Sequence, residues 1–440
     1  MKRLICAAVM LLLMTVMIGA YAEPRTVTAM LFYPNAELTG LVKTERQITL
    51  SGMRQSHALL EELMKAPEDG KAVPIMGAGA SIEGICDSGN VVTVNMDTFT
   101  ICEDKLRTLS TFAIWQTISC NTNAEAVNVL IDNTACMGTV RCLKAEELSY
   151  EALLYTVNQN RAYTIYTGDK SGTLMLTMLM PASENASAEE IMKHTASSGG
   201  DLTCSWPDSF NLAGGFKYEY GFDLQGKRVL SLTYTEQQSG MRISEAFGQS
   251  GLQQWQFVAA LALNNTVNIP GLQRIKLKLL NLQVASVNGT DGVNIQFPEG
   301  EIARDAFENE TGLIVNVLRP QNESVRFTVE QKPMKAGEAQ INKNVLLFSL
   351  PQLLEDGDIN LVDVWNDSAW VDISAAFYAE SQQLNEQDEE RIIYAIVNSL
   401  SMNYGVSNVY FTVEGLKAET FAGEIRIDAP LHPNPGLIER

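Results

Sequence analysis

Short stretches of alternating apolar and polar residues recur along the chain, each followed by a run with helical spacing. "RTVTAMLFYP" (residues 25–34) alternates with period two and predicts a strand. "RQSHALLEELMKAP" (54–67) places Ala58, Leu59, Leu63 and Met64 on one helical face and stops at Pro67. "SIEGICDSGNVVTVNMDTF" (81–99) alternates on both sides of an Asp-Ser-Gly turn, which is a hairpin signal. "FAIWQTISCNTNAEAVNVLID" (112–132) then reads as an apolar helix running into a strand. The order is β-α-β-β-α-β, with both helices expected on one face of a small mixed sheet.

The last part of this pattern occurs three times. "YAIVNSLSMNYGVSNVYFTVEG" (394–415) matches residues 112–132 without a gap, so that Ala113-Ile114 fall on Ala395-Ile396 and Gln116 falls on Asn398. "LALNNTVNIPGLQRIKLKLLN" (261–281) follows, with Asn264 on Asn398 and Gly271 on Gly405. An amide side chain at one place in every copy suits a structural hydrogen bond rather than catalysis. Hairpins precede the second and third helices too: "KRVLSLTYTEQQSGMRISEAF" (227–247), and "LVDVWNDSAWVDISAAF" (361–377) around an Asn-Asp turn. The middle copy is divergent, with 172–181 as its opening strand and a helix over 187–196. The third copy is expected to open near 292–300, which leaves strand-like material over 312–336 without a place.

Four of these stretches resemble the GerM domain, a family named after a sporulation and germination protein of endospore-forming bacteria. "MLFYPNAELTGLVKTERQITL" (30–50) is similar to its opening, and "ALLEELMKAP" (58–67) to its first helix. "WVDISAAF" (370–377) and "AIVNSLSMNYGVSNVYFTVEG" (395–415) are similar to its closing strand, helix and strand. The resemblance implies an α+β fold of repeated small units. It also implies a secreted or membrane-tethered setting, often with domains in tandem, and no catalytic residues. Six cysteines beyond the N-terminal apolar run, the degenerate middle copy and the lack of a clear serine after 90–99 depart from the family pattern.

Length and the N-terminus complete this organisation. At 440 residues the chain needs more than one core. "MKR", the apolar run 4–18 and an A-x-A site at Ala20 and Ala22 predict a signal peptide over 1–22. The alternative is a retained anchor, although the run is short for a bilayer span of about 20 residues. The expected division is a signal peptide at 1–22, GerM-like domains at 23–140 and 286–440, and a divergent GerM-like or insert domain at 141–285. Export favours disulfides among Cys86, Cys102, Cys120, Cys136, Cys142 and Cys204, whose wide spacing suits neither zinc nor a C-x-x-C redox pair. With 32 basic residues against 52 acidic and a net charge of −20, nucleic acid is excluded as a partner. Membrane contact is limited to the signal or anchor segment.

Candidate chemistry is sparse. The only histidines, His57, His194 and His432, form no metal-binding spacing. "GAGASIEG" (77–84) lacks the strand before and the helix after that a phosphate loop requires, and reads as a turn. "EQDEE" (386–390) follows Asn385 as an N-cap and suits the first turn of a helix. "FENE" (307–310) and "LEDGD" (354–358) lack a calcium-loop pattern and also read as turns. Trp365 and Trp370 stand at positions where strand alternation would turn one of them outward, toward a partner or a glycan. No catalytic, cofactor-binding or metal residue is assigned, and no cofactor is implied. The expected protein is a non-enzymatic, extracytoplasmic association module at the cell envelope, with a role in sporulation or germination. Its expected partners are envelope or sporulation-complex proteins, or a second copy of itself. A wall-glycan-binding module is the alternative, and a wall hydrolase ranks third.

Overall fold

The computed structural model describes residues 25–67, 70–77, 79–98, 103–182, 187–205, 215–223, 225–234, 251–279, 282–290, 292–321, 324–336 and 340–439. The expected signal peptide, Cys102, Trp206 and the "MRISEAF" stretch lie outside them.

The fold is α+β, a threefold repetition of one small unit. In the first copy β1 (Thr26–Pro34) pairs antiparallel with β2 (Leu41–Thr49), and α1 (Gln55–Leu63) follows. The hairpin of β3 (Ser81–Asp87) and β4 (Val91–Asp97) leads into the long helix α2 (Asp104–Asn121). This helix returns the chain to β5 (Ala126–Ile131), parallel to β4, and β6 (Thr134–Arg141) adds antiparallel to β5. After α3 (Tyr150–Gln159), the second copy runs β7 (Arg161–Gly168), β8 (Met175–Pro181), α4 (Ala188–Ser197), β9 (Phe216–Phe222), β10 (Arg228–Tyr234), α5 (Gln254–Asn268) and β11 (Leu272–Leu279). Strand β11 lies parallel to β10. The short strands β12 (Leu282–Gln283), β13 (Ser286–Asn288), β14 (Asn294–Gln296) and β15 (Glu301–Ala303) form the link to the third copy. That copy comprises β16 (Gly312–Pro320), β17 (Phe327–Lys335), α6 (Ile341–Ser349), β18 (Ile359–Trp365), β19 (Ser368–Ile373), α7 (Ala375–Ser381), α8 (Glu386–Tyr404) and β20 (Asn408–Val413), again parallel to its hairpin neighbour β19. A final short strand, β21 (Ile438–Glu439), pairs with β17.

Each unit therefore opens on a hairpin, and its order is ββαββαβ, with α7 added before the last helix of the third copy, where the pattern predicts βαββαβ. The missed strand β2 has a mixed inward face: Arg46 is buried there, bonded to Glu62 at 3.3 Å and to the Ala66 carbonyl at 2.7 Å. A charge at an inward position hides the alternation. In the second copy the expected opening strand over 172–181 is the second strand, β8. Strand β10 pairs antiparallel with β9 on one side and parallel with β11 on the other, and the expected hairpin arm after Tyr234 lies outside the described residues. In the third copy the hairpin is β16–β17, the material that had no place, while 292–300 supplies only β14.

The copies are fused unequally. A six-stranded sheet, β3-β4-β5-β6-β7-β8, runs from the first into the second through the register Thr139↔Ala162 and Val140↔Arg161. Helix α5 is buried at every position from Trp255 to Asn268 in the second core, as expected of a helix apolar on all sides. Attachment of the third copy to the first is by side chains. Trp365, 5% exposed, enters the core formed by Leu31, Leu59, Phe112 and Trp115. The Gly52 amide donates to Asp363 Oδ1 at 2.8 Å, and Asn342 Nδ2 to the Met53 carbonyl at 3.0 Å. Gly52 has φ +76°, and a Cβ there would meet Leu361 at 2.8 Å, so only glycine fits the joint.

Helix amides seal the open edge of each first hairpin. Asn121 Oδ1 accepts from the Met30 amide (3.0 Å) while its Nδ2 donates to the Met30 carbonyl (2.7 Å). Asn268 makes the same pair with Thr164 (2.9 and 2.7 Å), and Asn403 with Asn316 (2.7 and 3.1 Å). A second contact lies one turn earlier, where Phe32 donates to Thr117 and Tyr166 to Asn264. By these contacts Asn264 corresponds to Thr117 and not to Asn398, so the aligned register is one residue off in the middle copy. Gln116 and Asn398 do hold backbone, but of neighbouring loops: Gln116 pairs with Ala145 and Asn398 with Asn434, each through both amide atoms. The recurring amide is the one at the helix end, ahead of turns such as Gly405 (φ +73°).

Candidate functional site

Residues singled out in the sequence do not converge. His57 lies on α1, His194 on α4 against the Tyr163 ring (5.3 Å), and His432 Nδ1 sits 2.9 Å from the Ser407 carbonyl. Residues 74–77 form a turn ahead of β3, with no strand before it and no helix after. Asn385 caps α8 by accepting from the Asp388 amide at 3.0 Å. Within the acidic run, Glu389 is 1% exposed and accepts from the amides of Ala422, Glu424 and Ile425, so this carboxylate organises a loop. Residues 304–310 and 356–358 are 3-10 turns. Among the described residues no group of three His, Cys, Asp or Glu could hold a metal ion.

The cysteine expectation is corrected as well. No disulfide joins any two of the five described cysteines. Their sulfurs face other partners: Cys86 Sγ lies 3.0 Å from Thr311 Oγ1, Cys120 Sγ accepts from Gln116 Nε2 (3.4 Å), and Cys204 Sγ donates to the Asp169 carbonyl (3.5 Å). Burial pushes the thiols of Cys136 and Cys142 up to about 11. Alternation does separate the two tryptophans: Trp365 is buried, whereas Trp370 is half-buried on the face of β19 opposite Ala369 and Val371. Trp365 is core, and Trp370 stacks on Tyr410 (5.6 Å, 14°) with Arg25 over its ring at 5.2 Å.

Two other places stand out. The first is a cleft of about 280 Å³ where the first and third copies meet, lined by the start of α1, the β3–β4 turn, the end of α8 and the start of α6. Arg54, next to the first turn of α1, projects into it with 11% of its side chain exposed. Asp87 lies 3.9 Å away, beyond hydrogen-bond reach, and the Tyr404 ring packs beneath the guanidinium at 5.4 Å. Burial alone would lower the Arg54 pKa, but Asp87 and Tyr404 raise it above its ordinary value. Burial likewise pushes the Tyr404 hydroxyl up to about 12. Asp87 itself accepts from Ser56 Oγ (2.6 Å) and the Gly89 amide (2.9 Å), and among the described residues it is the only carboxylate lining the cleft.

A second feature is an aromatic row on β9, the outer strand of its sheet among the described residues. Phe216, Tyr218, Tyr220 and Phe222 share one face by the period of two. Phe216 is buried against Tyr234, Tyr218 is half-buried, Tyr220 is 46% exposed and Phe222 77%. The stripe thus begins in the core and continues past its cover into solvent. Arg228 stacks over Tyr220 at 4.6 Å. The alternation in "FKYEYGF" carries the sequence signal of this row.

No family model matches this chain, and no curated protein matches it. Among solved structures it is similar to the tandem GerMN domains of the sporulation protein GerM from Bacillus subtilis, at 13% identity and a TM-score of 0.23, over 62% of this chain and 98% of that one. It is also similar to a candidate lipoprotein from Clostridium perfringens, at 13% identity and a TM-score of 0.18, over 28% of this chain and 90% of that one. Both likenesses are distant. No described helix is long and apolar enough to cross a membrane.

Proposed function

We propose that this is a non-catalytic, extracytoplasmic protein of the cell envelope that works by protein–protein association through the open edge and aromatic face of β9. The carrying observation is the exposure of Tyr220 and Phe222 on an outer strand whose backbone pairs, among the described residues, with β10 alone. Outer strands left unguarded by proline, bulge or covering helix are templates for a further strand. Large aromatics at such an edge supply the anchor area that association needs. The N-terminal signal pattern supports export, and the resemblance of several stretches to GerM domains supports a role in sporulation or germination.

The test is a photo-crosslinking residue at position 222, with exposed Lys417 as the control position. Discrete adducts from 222 alone, lost on Tyr220→Ser, support the reading. Equal or absent adducts at both positions sink it. A second reading, binding of wall glycan to the same aromatic row, predicts sedimentation with purified wall material that Phe222→Ser abolishes.

A further inference from the structure

The cleft between the first and third copies carries an inference separate from association through β9. Its polar groups divide into satisfied and unsatisfied sets. Gln55 donates to the Asn121 carbonyl and accepts from the Asn366 amide, and both amide atoms of Asn403 are engaged by Asn316. By contrast, among the described residues the guanidinium of Arg54 has one long ion pair, to Asp87 (3.9 Å), and no hydrogen bond, and its Nε is fully shielded from water. Asn342, completely buried, uses its Nδ2 on Met53 and leaves Oδ1 without a donor. The Tyr404 hydroxyl is also shielded and unpartnered. Buried polar groups are paired in the great majority of cases, so three orphans lining one cavity mark a place that something else completes.

The unmet chemistry is specific. A guanidinium fork needs a planar anion, and a carboxylate satisfies two of its N–H groups at once. Asn342 Oδ1 needs an N–H, and Tyr404 can give or take one hydrogen bond. The nearby Asp87 carboxylate and the net charge of −20 disfavour a dianion such as phosphate. We infer that this cleft binds the free C-terminal end of a peptide, with the carboxylate on Arg54, the preceding backbone N–H on Asn342 Oδ1, and Tyr404 closing the site. The volume of about 280 Å³ suits one or two residues. Because the lining comes from two copies, occupancy ties the third copy to the first.

The experiment titrates the whole mature protein with N-acetylglycylglycine, with its neutral C-terminal amide, and with inorganic phosphate, followed by calorimetry. The acid is expected to bind saturably, at least about tenfold more tightly than the amide, because only the acid offers charge-assisted bonds to the fork. Phosphate is expected not to compete. Arg54→Gln should weaken the acid at least about tenfold and leave the amide unchanged. Equal binding of acid and amide, competition by phosphate, or no saturable binding of the acid would each overturn the inference. The comparison of acid with amide on the unsubstituted protein decides the matter even if Arg54→Gln fails to fold. A lost β9 crosslink would leave this result untouched.

Discussion

Removing one helix amide should show how much the edge seal contributes. Asn268 is the sharpest choice, because its partner Thr164 is 0% exposed and water cannot replace the lost side chain. Asn268→Ala orphans one buried N–H and one buried C=O, at about 1–3 kcal/mol each. It also removes the bond from Asn268 Nδ2 to the Asn264 carbonyl (2.8 Å), a further contribution of about 0.5–1.5 kcal/mol. A loss near 4 kcal/mol is expected, which corresponds to about a thousandfold in a local opening equilibrium. Hydrogen exchange read at the Thr164 and Tyr166 amides is the assay, since global melting of a chain with several cores is not two-state. Asn403→Ala is the internal comparison: Asn316 is half-buried, water can reach it, and the expected cost is only about 0.5–1.5 kcal/mol. Asn268→Asp should also be severe, because it keeps the acceptor but sets a carboxylate against the Thr164 carbonyl. If Asn268→Ala left protection of Thr164 within threefold of the parent, or matched Asn403→Ala, the reasoning would be refuted.

Further expectations concern the joint, the acid limb and the thiols. Trp365→Ala should cost about 3–5 kcal/mol at the contact between the first and third copies; faster exchange over 52–56 together with 361–368 would show it, and an unchanged pattern would contradict it. Burial is the main cause that lowers the His57 pKa, aided by Arg54 and opposed by Asp87 and Glu61. The unfolded chain therefore takes up the proton first, so stability from this group is complete above about pH 6.5 and falls as pH drops through that value. His57→Gln should flatten that limb of a urea-midpoint profile, and an unaltered slope would count against it. Cys136 and Cys142, raised from 9.0 to about 11, hold about a hundredfold less thiolate at pH 8 than ordinary thiols. Mass spectrometry should find both unalkylated in the native protein and alkylated in denaturant; rapid native labelling would speak against the buried placement.

Element type was legible wherever one periodicity held over a whole element. Helices α2, α5 and α8 and the strands that follow them stand out because apolar runs and turn residues agree. The opening hairpins were half visible. Strand β2 carries Arg46 inward, and its charge is accommodated only by Glu62 and Ala66 from another element, which no local pattern can announce. In the middle copy β9 and β10 form the described hairpin, and the charged residues between the aromatics of β9 hide its apolar face from a search for uniform runs. At the cleft, Arg54 and Tyr404 lie 350 positions apart and meet only through packing of two copies. The aromatic row of β9 was within reach, since its period of two is written plainly in seven residues.

The edge seal has a consequence for how such a chain changes over time. Asn121 and Asn268 address only main-chain atoms, and Asn403 holds the Asn316 main chain with one longer contact from the Asn316 side chain (3.4 Å) beside it; the residues held, Met30, Thr164 and Asn316, have unlike side chains. A contact indifferent to the identity of its partner exerts no selection on it. One asparagine per copy can thus preserve an architecture while the strand it secures is rewritten freely. Within this chain the three copies keep the same helix-end asparagine while Met30, Thr164 and Asn316 occupy the strand position that it secures.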